Sequence, residues 1–167
     1  MNKKYIILGW GDRKTDKNYQ ELFKRVPNLV WLPTVTRNPK LAFGKKSLNE
    51  TTDELSFVVD TPVIDTLVGF SAGAIIAYML SKKIKVNKLI LCSLSPILGD
   101  KIIPKKSLKL FTKEQIKELK VVKWPTLKDA LILYGDKEKN FGGITVKDSG
   151  HKIEGNYLKV LIKILND

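Results

Sequence analysis

The stretch "VGFSAG", residues 68–73, places Ser71 between two glycines, where one hydrophobic pattern gives way to another. Thr66, Leu67 and Val68 suit a short buried strand. Residues 72–80, "AGAIIAYML", suit an apolar helix without proline. Glycine two residues before and two after a serine at such a junction follows the nucleophile-elbow pattern G-x-S-x-G. The small residues Gly69, Ala72 and Gly73 let strand and helix approach closely, and the helix points its positive end at the hydroxyl. A five-residue match carries little weight alone; the strand before it and the helix after it add the rest.

A serine hydroxyl is a poor nucleophile until a base takes its proton. The chain has one histidine, His151. It follows the short run 144–146 and the loop "KDSG", so it sits past a strand end, where functional groups gather in an open α/β sheet. A lone loop histidine is ordinarily a surface residue, but this one has no competitor and comes after the serine. The third requirement is a carboxylate that orients the imidazole. The apolar run 130–134 ends at Gly135, and two acids follow, Asp136 and Glu138, either within reach of the histidine. Asp148, just ahead of His151, is a third and weaker candidate. The order serine, acid, histidine goes with the elbow motif.

With these residues the sequence resembles a small, compact α/β-hydrolase, over nearly the whole chain from Lys3 to the last helix. The resemblance implies Ser71 in "GFSAG" as nucleophile and His151 in "SGH" as base. The family usually carries its acid three residues after a strand-ending glycine. That position is Glu138, a glutamate rather than an aspartate, and Asp136 stays beside it as the alternative. The resemblance also implies an oxyanion hole made by the backbone N–H groups of Ala72, after the nucleophile, and Trp10, in the turn after the first strand. One such donor is worth about 3 kcal/mol. "LGWG" resembles the "HGWG"-type turn of carboxylesterases acting on acyl-chain esters, with leucine in place of histidine. The same turn is also readable as a plain strand-end turn, or as a nucleotide loop. For the latter it lacks the third glycine of G-x-G-x-x-G, having Lys14 there instead.

The elements that must hold these residues alternate along the chain. Strands are expected near 4–9, 28–35, 65–70, 87–93, 129–134 and 143–147, and helices near 17–25, 47–59, 72–83, 112–120 and 153–165. Such alternation gives an α/β fold with a mostly parallel, six-stranded sheet flanked by helices. The resemblance sets the strand order as 2-1-3-4-5-6, a minimal α/β-hydrolase fold lacking the family's first two strands and the helix between acid and histidine. The family's lid falls at residues 95–128, short and basic here, where Ile102, Ile103, Leu108, Leu110 and Phe111 either line an acyl pocket or pack on the core. At 167 residues and 43% hydrophobic, the chain is expected to form a single domain over 1–167.

No apolar run is long enough to span a bilayer. The start "MNKKYIIL" reads as a first strand rather than a signal peptide. The lone Cys92, in the strand-like "KLILCSLS", excludes an internal disulfide and reads as core, so a cytoplasmic location is expected. One histidine and one cysteine, far apart, leave no metal site. The net charge of +13 comes from 27 lysines and 3 arginines spread along the chain, without aromatic interleaving. It reads as compositional bias on a solvated surface rather than a specific nucleic-acid site. The expectation is a cofactor-free serine hydrolase acting on small ester or thioester substrates. The alternatives are a non-catalytic protein that keeps the fold to bind a ligand and, more distantly, a nucleotide-binding α/β domain.

Overall fold

The computed structural model describes residues 3–33, 41–98 and 109–167. Six strands form one parallel sheet: β1 (Lys4–Ile7), β2 (Leu29–Trp31), β3 (Val63–Phe70), β4 (Lys85–Cys92), β5 (Leu131–Gly135) and β6 (Ile144–Val146). Their order is β2-β1-β3-β4-β5-β6, as the family resemblance implies. The helices among the described residues are α1 (Lys17–Arg25), α2 (Leu48–Val58), α3 (Ala72–Leu80), α4 (Lys113–Val121) and α5 (Gly155–Asn166).

Alternate residues of each strand feed two cores. Tyr5, Ile7 and Leu67 pack on the side of α2, α3 and α4, while Ile6, Leu8, Val68, Ile90 and Cys92 pack on the side of α1 and α5. A parallel strand buried on both faces reads as a continuous apolar run, which is why β3 and the second half of β4 stand out in the sequence.

Local chemistry moved several element ends. Pro33 cannot donate to a ladder, and the ladder on β1 closes with the Leu32 N–H to the Ile6 carbonyl, 2.9 Å. Asp129 does not begin β5. Its carboxylate accepts the Thr126 N–H and hydroxyl, so the strand starts at Leu131. Helix α3 stops at Leu80 because the chain tightens there, with Lys82 N–H bonded to Met79 and Lys83 N–H to Leu80.

Helix α4 is fixed to its neighbours by polar contacts. Thr112 and Gln115 form a capping box, and the buried Gln115 amide also donates to the carbonyls of Gly44 (3.1 Å) and Lys46 (2.6 Å). Glu118 accepts the N–H groups of Leu48 and Asn49, so a carboxylate from α4 caps the start of α2. Of the residues considered for an acyl pocket, Phe111 is core and meets the Phe43 ring at 5.7 Å, and Leu110 packs against the same cluster. Ile102, Ile103 and Leu108 lie outside the described residues. Among the described residues, no helix is long and apolar enough to cross a membrane.

Candidate active site

The register brings the carboxyl ends of the strands level: Ile7 lies beside Gly69, Phe70 beside Cys92, Cys92 beside Leu133, and Gly135 beside Val146. One residue past β3 is Ser71, at φ 53° and ψ −115°. A non-glycine residue in that region is strained by about 1–3 kcal/mol, and the packing around it must hold it there. Gly73 explains why it is held. A Cβ on Gly73 would lie 2.4 Å from both the Ile7 and Leu8 carbonyl oxygens, so only glycine lets α3 start this close to β1. Ser71 is the N-cap of α3, yet its hydroxyl does not cap the helix. It faces His151 instead, with Oγ 2.9 Å from Nε2.

His151 Nδ1 lies 2.8 Å from Glu138 Oε2. A carboxylate only accepts, so Nδ1 carries a proton, and in the neutral ring Nε2 accepts from Ser71. The imidazole also packs on Phe70, with ring centroids 5.4 Å apart, and its side chain remains 53% exposed. Glu138 is mostly buried. Its Oε1 accepts the Ser93 hydroxyl at 2.6 Å and the Gly135 N–H at 2.7 Å. Partial burial pushes its carboxyl up, but the hydrogen bonds from His151, Ser93 and Gly135, with the attraction of the imidazole, outweigh this and hold it below the usual glutamate value.

Asp136 does not meet the imidazole. Its two oxygens accept the backbone N–H groups of Asp148 and Ser149, both at 2.9 Å, and these bonds hold its carboxyl below the usual aspartate range. It anchors the loop that carries His151. Gly135 allows that anchoring, since a Cβ there would lie 2.3 Å from the Ser149 carbonyl oxygen. Asp148 lies in the same loop with φ 55°.

The turn after β1 approaches from the other side. A Cβ on Gly9 would lie 3.3 Å from the Ser71 Cβ, so this turn runs beside Ser71. Trp10 is 39% exposed on it. Asp12 folds back beneath the turn, and its Oδ2 accepts the Gly9 N–H (3.1 Å) and the Tyr19 hydroxyl (2.7 Å). A nucleotide loop would offer that N–H to a phosphate, and here a carboxylate has taken it. Burial raises the Asp12 carboxyl above the usual aspartate value, against the hydrogen bonds that lower it. Ala72 is the first residue of α3, and an N–H at that position has no acceptor within the helix. Asp12, Tyr19 and Ser93 were not singled out from the sequence.

Cys92 is fully buried on β4, and burial pushes its thiol up to about 12. No group of histidine, cysteine and acidic side chains suited to a metal occurs among the described residues. A hollow of about 470 Å³, lined by residues including Tyr5, Val30, Trp31 and Val58, lies along β1 and β2 and shares no residue with the Ser71 site.

Comparison with solved structures places this architecture among the α/β-hydrolases. Est1E from Butyrivibrio proteoclasticus, in a structure with ferulic acid bound, is 12% identical with a TM-score of 0.63, the match covering 99% of this chain and 88% of that one. The RedJ thioesterase of the prodiginine biosynthetic pathway in Streptomyces coelicolor is 10% identical with a TM-score of 0.60, covering 98% and 84%. An α/β serine hydrolase homologue from Coxiella burnetii is 17% identical with a TM-score of 0.56, covering 99% and 84%. No protein-family model matches the sequence. No curated protein matches it. The chain has the α/β-hydrolase fold.

Proposed function

We propose that the chain is a serine hydrolase that cleaves small carboxylic esters or thioesters through an acyl-enzyme on Ser71. The observation that most supports this is the line of hydrogen bonds from Ser71 Oγ through His151 to Glu138, 2.9 and 2.8 Å long. His151 Nε2 takes the serine proton as Oγ bonds to the carbonyl carbon, and the carbonyl electron pair moves to its oxygen. The N–H groups of Trp10 and Ala72 are the donors assigned to that oxyanion. The imidazolium then protonates the departing alcohol or thiol as its bond to carbon breaks. Water adds to the acyl-enzyme and gives its proton to His151. Collapse of the second intermediate releases the acid and returns the proton to Ser71. Glu138 stays ionised throughout and holds the tautomer. The reaction so written uses side chains, backbone amides and water.

The names of the structural neighbours, a carboxylesterase and a thioesterase among them, favour these two substrate classes over amides. A fluorophosphonate tests the reading. The expected result is one label on the folded protein, absent from Ser71→Ala. Turnover of short p-nitrophenyl esters should fall about ten-thousand-fold in Glu138→Gln, the scale of losing a triad acid. A label that survives Ser71→Ala, or no label at all, leaves the chain as a non-catalytic protein on this fold.

A further inference from the structure

Among the described residues, three that are not glycine have positive φ: Ser71 at 53°, Ser93 at 50° and Asp148 at 55°. Such strain persists only where the surroundings over-determine it, and it clusters at functional sites. Ser71 is the proposed nucleophile, and Asp148 lies in the loop that presents His151. Ser93 has no role in the reaction as written above, yet it carries the same strain.

Its position explains what the strain achieves. β4 ends at Cys92, and the next N–H, that of Ser93, donates to the Leu133 carbonyl of β5 at 2.8 Å. The left-handed backbone at Ser93 turns the side chain across the strand ends toward the turn after β5. There Ser93 Oγ lies 2.6 Å from Glu138 Oε1, and the residue is only 1% exposed. The Tyr157 hydroxyl is its other polar neighbour, at 3.3 Å. Tyr157 has one proton, and the Leu133 carbonyl takes it at 2.8 Å. The Ser93 proton therefore goes to the carboxylate.

We infer that Ser93 is a positioning residue that locks the Glu138 carboxylate for His151, an assignment that rests on the serine-hydrolase reading above. A carboxylate held through one oxygen by a single donor can swivel about that bond. Two donors on Oε1, from Ser93 and Gly135, fix its plane and leave Oε2 aimed at Nδ1. Ser93 touches neither substrate nor the reacting atoms. It acts on the reaction through Glu138 alone.

The backbone strain supplies a clean test. Ser93→Gly removes the hydroxyl and also relieves the left-handed conformation, so the released strain offsets part of the lost hydrogen bond. Ser93→Ala removes the hydroxyl and keeps the strain. We expect both variants to fold, with the glycine variant melting higher than the alanine one. Both should turn over p-nitrophenyl esters about 10- to 100-fold more slowly in kcat, the scale of one hydrogen bond to a charged group, with KM little changed. Fluorophosphonate should still label Ser71 in both, at a correspondingly lower rate. Parental kcat and labelling rate in Ser93→Gly overturn the assignment while leaving the hydrolase reading intact. Unfolding of both variants, or a loss carried by KM, gives Ser93 a purely structural or binding role and also overturns it. No labelling of the parent protein removes both readings together.

Discussion

The Asp136 carboxylate accepts the Ser149 N–H at 2.9 Å, and the Ser149 carbonyl in turn accepts the Lys137 N–H at 3.0 Å. The turn after β5 and the loop before His151 are laced together by this exchange. Asp136→Ala should therefore lower the melting temperature, with Asp136→Asn in between because its amide keeps one acceptor oxygen. The folded-state pKa of Asp136 is depressed, so its contribution is complete above the ordinary aspartate value of 3.8 and is lost as pH falls through the folded value. Thermal melts of parent and Asp136→Ala should differ by a constant amount at neutral pH and converge below pH 3.8. A gap that persists unchanged in acid would show that the carboxylate charge is not what anchors the loop.

Ser71 holds a left-handed conformation for the sake of where its hydroxyl points. Glycine adopts φ 53° without strain. Ser71→Gly should raise stability by about 1 kcal/mol and abolish fluorophosphonate labelling. Urea melts beside the labelling assay measure both. A destabilised glycine variant would contradict the strain argument.

Asp12 offers the opposite pH dependence. Its folded pKa is raised by burial, so the stability it contributes is complete below 3.8 and is lost as pH rises through the folded value. Asp12→Asn keeps an oxygen to accept the Gly9 and Tyr19 donors and sheds the charge. The variant should match or exceed the parent at pH 7 and lose that advantage below pH 3.8. Denaturant titrations at the two pH values decide it. An advantage independent of pH would rule out burial of the charge as its cause.

Gly73→Ala tests the packing under the elbow. The added Cβ meets the backbone oxygens of Ile7, the last residue of β1, and of Leu8 just after it, both at 2.4 Å, and backbone gives way far less readily than a side-chain tip. The cost should reach about 3 kcal/mol, the upper end for overpacking. A melt within experimental error of the parent would mean that α3 does not start as close to β1 as described.

Much of the architecture was legible because a doubly covered parallel sheet writes itself as separated apolar runs. The six strands follow from those runs and the glycine turns, and their order from the resemblance. The ends of elements were less legible, since they depend on single polar contacts such as Asp129 with Thr126. At the site, the sequence singled out Ser71 and His151 by their neighbours but left Glu138 and Asp136 side by side. Their separation depends on which way a tight turn aims two carboxylates, and that is set by amides of a loop 12 and 13 residues further on. Ser93 and Asp12 had no usable signal. Ser93 meets Glu138 across 45 residues of chain, and the only local hint is a serine just past the apolar run of β4. Asp12 lay in plain view in "GWGD", but its inward fold depends on Tyr19.

The exposed ring of His151 makes the chain unusually easy to observe. It is the only histidine, so every imidazole signal in a proton NMR spectrum comes from this one ring, without isotope labelling or assignment. The ring meets solvent directly, with 53% of this side chain exposed. A ligand settling over Ser71, a covalent adduct on its oxygen, or a rotation of Glu138 would each move the same few lines. The molecule carries its own spectroscopic reporter at the place where the chemistry is proposed.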